Sequence, residues 1–486
     1  MPWLSEMLDV VVKLKASLEF ASTMPLLHFL SRSSLWTEAK ASLRLAIPLM
    51  LIQLSEGAVS FVDTLMMGGL GTTTLAAGGL GATSFWMLFF LCAGLLEMTG
   101  AIAAEAHGAR DHHRVSRINI QGLWLSFWIS LPVMVLIWHL DIVFRLFGQQ
   151  AVIVSLATVY LHAMVWGLPA VLGLFVFKEI LTALSRPRLI MVLMGLGIPL
   201  NIGLNYGLTY GSWGLPELGL AGIGWASTLV VWFNFVAAVV MLQVYPSLRR
   251  LQLLRRWWRC DRAILTEIIH LGWPLCIDYV TEMGAFTAAA LLMGLWSTEL
   301  LAAHRIVMTT TELLLMFSWG FAYAAAMRTG HKMGAADPRA ARRVAQANLL
   351  MNLMLVMLLA IPLWLLPRTI AGFYLNVDLP ANAQTVSLAA TLFKIGVVFQ
   401  IAQGIRIISA GTLQGLKDTH LLATVDVLVH WVIGIGLGYV AGQWLGWQGS
   451  GLWWCLALGQ LVAAIVLTRR FQLLIAAQIP KLVIQK

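Results

Sequence analysis

Residues 349–366 read LLMNLMLVMLLAIPLWLL, a run without a single charge, with Pro362 close to its end. A helix rises about 1.5 Å per residue, so a run of this length covers most of the roughly 30 Å hydrocarbon core of a bilayer. A membrane-spanning strand is about ten residues long and alternates in polarity, which this run does not do. The stretch is therefore read as a transmembrane helix. The whole chain follows suit: of 486 residues 59% are hydrophobic and only 11% are charged, and the mean hydropathy is +0.82. A soluble fold cannot hide that much apolar surface, so the chain is an all-α polytopic membrane protein.

Comparable windows bounded by Gly, Pro or clustered charge fall at 45–67, 78–104, 120–142, 155–182, 190–210, 222–244, 270–296, 300–327, 345–366, 388–415, 421–443 and 448–468. That makes twelve spans. With both termini placed in the cytoplasm, the Lys and Arg residues lie in cytoplasmic segments, except Arg145, Arg368 and four inside spans. This positive-inside bias sets the orientation, and an inner cell membrane is the expected location. The formal charge of +10 thus belongs to membrane topology, and nucleic acid is not expected as a partner. Arg249, Arg250, Arg255, Arg256, Arg259 and Arg262 concentrate in the middle loop, read as a linker and topology determinant. Residues 1–40 lack signal-peptide order and are expected to form a cytoplasmic arm. Cys92, Cys260, Cys276 and Cys455 are widely spaced and suggest neither disulfides nor a zinc site.

Sliding the sequence against itself by about 226 residues exposes an internal repeat. Pro48 falls on Pro274, Glu56 on Glu282, Gly108-Ala109 on Gly334-Ala335, Asp111 on Asp337 and Arg117 on Arg343. Apolar segments share Leu and Ala by chance, but not Pro, Glu and Gly-Ala-x-Asp at one offset. The chain is accordingly divided into an N-lobe at 41–246, a basic linker at 247–266, a C-lobe at 267–470 and a tail at 471–486. Six helices per half is an even number, so the two six-helix bundles share one orientation and enclose a central cavity. That architecture suits alternating access.

Eight acids fall inside spans: Glu56, Asp63, Glu97, Glu179, Asp278, Glu282, Glu312 and Asp426. The four bases there are Lys178, Arg305, Lys394 and Arg406. Each would cost at least about 2.5–3.5 kcal/mol against lipid at mid-bilayer, so they must line water or one another. Lys178 and Glu179, near a helix end, are read as a structural pair, and Arg305 as a side chain that snorkels. Asn201 and Asn205, spaced i, i+4, share a helix face. Their amide oxygens, with Asp63, Ser227 and Thr228, could complete a hard-oxygen site for Na+, whereas a protonatable Asp63 would serve H+. Interhelical hydrogen bonding is the alternative role of the asparagines. Glu56 and Glu282 each follow a helix-interior proline by eight residues and are expected to be symmetric functional carboxylates. The 21 Trp, 20 Phe and 22 Met could line an adaptable cavity for large apolar cations. No P-loop and no catalytic constellation is present, so the chain is not read as an enzyme and a gradient must drive transport. His107, His112, His113 and His331 are read as solvated loop histidines rather than metal ligands.

These residues resemble the multidrug and toxic-compound extrusion family, MATE, and within it the NorM-like branch. The resemblance spans about residues 40–470. It is carried by Ile47-Pro48 with Phe61-Val62-Asp63-Thr64, by Leu204-Asn205-Tyr206, and by Gly222-Ile223-Gly224-Trp225-Ala226. In the second half Ala302-Ala303-His304, Gly330-His331-Lys332-Met333-Gly334 and Ala410-Gly411-Thr412-Leu413-Gln414-Gly415 carry it. It implies a V-shaped pair of bundles and efflux of small organic cations coupled to inward H+ or Na+, with no other cofactor and a monomeric chain in the bilayer. By position, Asp63 is similar to the family's amino-lobe ion-site carboxylate, with Asn201 and Asn205 as partners, and Glu282 to its carboxy-lobe acid. Where NorM-like proteins place an aspartate on the tenth helix, this chain has Gln403, with Arg406 one turn on. Arg406 is then expected to neutralise Glu282 or Asp278, weakening a second cation site. A lipid-linked oligosaccharide flippase of related bundle architecture is the second reading. It would favour a basic cavity, against the excess of acids here.

Overall fold

A computed structural model describes residues 33–254, 258–377 and 379–484, with side chains from 35 to 478. Residues 1–32 of the expected arm lie outside the described residues. Among those described, twelve helices are long and apolar enough to cross a membrane. In chain order they are α1 (Leu35–Gly69), α2 (Thr72–Gly108), α3 (His112–Trp138), α4 (Ala151–Ala183), α5 (Pro187–Tyr210) and α6 (Leu220–Val244). Then follow α7 (Arg262–Trp296), α8 (Thr298–Gly334), α9 (Pro338–Leu365), α10 (Pro380–Gly415), α11 (His420–Gln443) and α12 (Gln448–Gln478). Positions 35–40 of the expected arm are helical and continuous with α1. The final helix likewise runs on through the expected tail to Ile484. Large apolar side chains such as Phe61, Leu291 and Leu295 stay exposed on the outside of the bundles, as expected of surfaces that face lipid.

Within the N-lobe α2 packs on α4, α1 on α5 and α5 on α6; within the C-lobe α8 packs on α10 and α10 on α12. Between lobes α2 meets α7 and α8, while α1 meets α8 and α9. The repeated Gly-Ala-x-Asp is explained by this junction. A Cβ on Gly108 would run into the His331 carbonyl, and one on Gly334 into the Glu105 carbonyl. The two collisions are repeat mates, so the helices cross about a local two-fold at which only glycine lets the backbones meet. Each glycine leads into the same tight turn. Arg110 and Ala336 take positive φ (61° and 56°), and Asp111 and Asp337 then cap α3 and α9 by accepting from the Arg114 and Ala340 N–H groups, both at 2.9 Å.

Ion pairs crossing between lobes gather at this same end. Arg328 on α8 donates to the Glu38 carboxylate of α1, and Lys332 joins it at 3.2 Å. Lys417 of the C-lobe pairs across the junction with Glu105 of α2 and, within its own lobe at 3.1 Å, with Glu267 of α7. Arg114 reaches Glu267 at 3.0 Å and Arg117 reaches Asp261 at 2.9 Å. Among the described residues no ion pair joins the lobes at the opposite end. His331 is half-buried and bonded to the Ala183 carbonyl across the lobes, which replaces the expected solvated loop histidine with a packed one.

Candidate functional site

Asp63 sits on α1 where that helix packs against α5 and α6. Its Oδ1 accepts from the Asn205 amide at 2.7 Å and the Asn201 amide at 3.3 Å, and its Oδ2 accepts from the Ser227 hydroxyl at 2.8 Å. The i, i+4 spacing puts both asparagines on one face, and Asn205 also donates to Asn201 Oδ1 at 3.0 Å. Both are fully buried, and Tyr160 stands close by. The sequence thus located the cluster, with two differences. The amides present their nitrogens, not their oxygens, to the carboxylate, and Thr228 turns away to donate to the Ala163 carbonyl at 2.8 Å. Thr228 supports the α4–α6 packing instead: the 3-10 turn Val165–Gly167 brings Gly167 against its side chain. Three donors on one carboxylate fit its ionised form, since a carboxylate only accepts.

The C-lobe holds a different constellation. Arg406 on α10 is buried and splays between two carboxylates, Nη2 to Glu282 Oε1 at 3.1 Å and Nη1 to Asp426 Oδ1 at 2.9 Å. Asp278 Oδ1 lies 3.9 Å from the same Nη1. Gln403 donates to Glu282 Oε1 at 3.0 Å. The expected pairing of Arg406 with Glu282 is present and that with Asp278 is longer, while the shortest bond goes to Asp426, which sequence reasoning counted among the acids but placed in no site. Asp426 is fully buried. His430, one turn later, has Nδ1 2.9 Å from the Asp426 carbonyl and Nε2 3.0 Å from the Gln460 amide nitrogen. A carbonyl only accepts and an amide nitrogen only donates, so the ring is the neutral Nδ1–H form. The backbone beside it, Leu428–Leu437, is wound as a π-helix, the kind of local unwinding that recurs at functional sites. The i, i+4 pair Asp426 and His430 in an otherwise apolar span was the available signal.

Glu56 and Glu282 prove not to be equivalent. Glu282 is bound by Arg406 and Gln403, whereas Glu56 is exposed, without a hydrogen bond among the described residues, and within electrostatic reach of Lys178. Lys178 does not pair side by side with Glu179, because adjacent helix positions point about 100° apart. It lies buried with its ammonium 4.3 Å from the Phe175 ring centre and 5.2 Å from that of Tyr323 on the other lobe. Nearby, Tyr279 of α7 donates to Glu97 of α2 at 2.8 Å, also across the lobes. Arg305 and Lys394 are exposed, as snorkelling side chains are.

A polytopic membrane protein made of two like-oriented six-helix lobes, with buried carboxylates in each, is the class these features define. The chain belongs to the MatE family, whose profile matches residues 48–207 and 274–440, one segment in each lobe. A probable multidrug resistance protein NorM from Synechococcus sp. is 36% identical over 89% of this chain and 94% of its own length. A protein of the same description from Pseudomonas aeruginosa is 35% identical, covering 91% of both. Among solved structures, MATE in the bent conformation superposes with a TM-score of 0.83 at 21% identity over 91% of this chain and 97% of that one. A MOP superfamily transporter from Pyrococcus furiosus gives a TM-score of 0.81 at 21% identity, over 91% of this chain and 96% of the other. At those identities the structural likeness speaks for the fold.

Proposed function

We propose that this chain exports small organic cations or drugs across the inner membrane by alternating access, as a monomer, driven by inward flow of protons. The multidrug role of its relatives and the surplus of intramembrane acids support export of cations. Both termini are assigned to the cytoplasm on the positive-inside rule, so the ion-paired end of the lobe junction faces inward and this arrangement is the outward-facing one.

The donor set around Asp63 carries the choice of H+. An Na+ ion placed at Asp63 would meet amide N–H groups pointing at it, and both amides would have to turn over before their oxygens could serve as ligands. A proton needs less. When it arrives on Oδ2, the Ser227 hydroxyl rotates about its C–O bond from donor to acceptor, while the amides keep their bonds to Oδ1. Neutralising Asp63 weakens three charge-assisted hydrogen bonds that tie α1 to α5 and α6. The same helix carries Glu56 and, through Glu38, a strut to α8, so loosening α1 links proton binding to lobe contact. Glu56, exposed and without a hydrogen bond among the described residues, is the group proposed to meet a cationic substrate. The C-lobe cluster sets three carboxyl groups against one guanidinium and is proposed as a second, more tightly held charge centre.

The test is purified protein in liposomes, with proton and Na+ gradients imposed separately and ethidium movement followed by fluorescence. An outward-acid gradient should drive ethidium export with no Na+ present. Export that needs Na+ and ignores the proton gradient would remove the proton reading.

A further inference from the structure

Between the lobes, at the ion-paired end, lies a cavity of about 940 Å³. Its wall on the N-lobe side includes Arg44 of α1, Arg186 in the α4–α5 connection, Arg188 in the first turn of α5, and Ser247 just beyond α6. Arg328 and Lys332 of α8 close it from the C-lobe. Among the described residues no carboxylate lines it. Glu38, beside it, is taken up by Arg328 and Lys332 together. Arg186 is oriented by donating to the Ser247 hydroxyl, and Arg44 and Arg188 are exposed and form no ion pair among the described residues. Five cations thus converge with one carboxylate between them. The α5 N-terminus, which has Pro187 in its first turn and no side-chain cap, adds the positive end of a helix dipole.

We propose that this cavity binds the phosphate of an anionic phospholipid headgroup. Five cations that share one carboxylate in an open cleft between the lobes favour an anionic ligand, and phosphate oxygens match guanidinium forks in pairs. The rest of the wall separates a lipid from a free anion. Leu45, Leu189 and Tyr245 lie beside the arginines, Tyr245 being exposed, and they give the glycerol and the first acyl carbons an apolar surface at the depth where headgroups sit. Because both lobes contribute cations, the bound headgroup bridges them and favours the arrangement in which this end is closed. This inference does not depend on the coupling ion or on the cargo.

The test uses the full chain in nanodiscs, comparing phosphatidylglycerol with phosphatidylcholine, and inorganic phosphate added to the phosphatidylcholine discs. Melting temperature and co-purified lipid counted by native mass spectrometry are read together. Phosphatidylglycerol should raise the melting temperature and remain bound, and Arg188→Gln, an exposed side chain with no hydrogen bond or ion pair among the described residues, should weaken that binding about fivefold. Combining Arg44→Gln with Arg188→Gln, both exposed, should abolish the lipid-specific rise while leaving the melting temperature in phosphatidylcholine unchanged. Arg339→Gln with Arg342→Gln, on α9 outside the cavity, should keep it. An equal rise in the double variant, or none in the wild type, overturns the site, and inorganic phosphate reproducing the full rise overturns the lipid in favour of a free anion.

Discussion

At the scale of the residue, Arg406 distinguishes the two lobes. It is buried and engages Asp426 at 2.9 Å and Glu282 at 3.1 Å. Removing one member of a buried ion pair typically costs about 3–5 kcal/mol, because the remaining charge is stranded. Arg406→Ala should therefore lower the melting temperature strongly. From the sequence, Glu282→Gln is the expected partial rescue. The geometry shifts that role to Asp426, which is fully buried and loses its closest cation, whereas Glu282 keeps Gln403. In a double-mutant cycle on thermal stability, Asp426→Asn should recover more of the loss than Glu282→Gln. Equal recovery would mean that the guanidinium is shared evenly and that Asp426 has no special standing. Asp426 was hard to place because its partner sits on another helix at a distance no local spacing encodes. Asp63 was easier, because two of its partners fall on one face of one helix.

At the scale of the element, the repeated Gly-Ala-x-Asp is legible in the sequence as a sign of duplication, but the α2–α8 crossing that it serves is not. Sequence offset identifies duplicated residues but does not say that the two copies touch. Gly334 faces the Glu105 carbonyl and Gly108 that of His331, so a methyl group at either position must push two backbones apart. Gly334→Ala should cost about 1–3 kcal/mol, in the range of overpacking a tight contact. Gly195, inside α5 with nothing within 4 Å of its absent side chain, is the control. Gly195→Ala should be neutral or slightly stabilising by helix propensity. Similar melting temperatures for the two variants would show that the crossing tolerates separation. The π-helix in α11 lay beyond the sequence, since nothing in an apolar run announces an extra residue in a turn.

At the scale of the whole molecule, twelve spans and two lobes followed from hydropathy and the repeat, because the bilayer leaves the backbone so few options. What holds the lobes together did not follow, since those partners are far apart in the chain. Glu38 with Arg328 and Lys332, and Lys417 with Glu105, join them at one end. The Glu38–Arg328 pair is buried and the Lys417–Glu105 pair half-buried, and all must open together if the lobes are to part there. Glu38→Gln combined with Lys417→Gln should shift the lobes toward separation at this end. Spin labels at His113 and Arg339, exposed positions on opposite lobes, should then report a longer and broader distance distribution. An unchanged distribution would mean that the glycine crossing and the remaining cross-lobe contacts, such as Arg114 with Glu267 and His331 with the Ala183 carbonyl, hold this end closed without these pairs. Asp63 is the proposed proton carrier, and the most direct measurement of that role is ethidium export by Asp63→Asn protein in liposomes under an imposed proton gradient. The variant keeps the size of the side chain, so it should fold and insert at normal yield yet show no gradient-driven export. Export at the wild-type rate would contradict the assignment of coupling to the N-lobe.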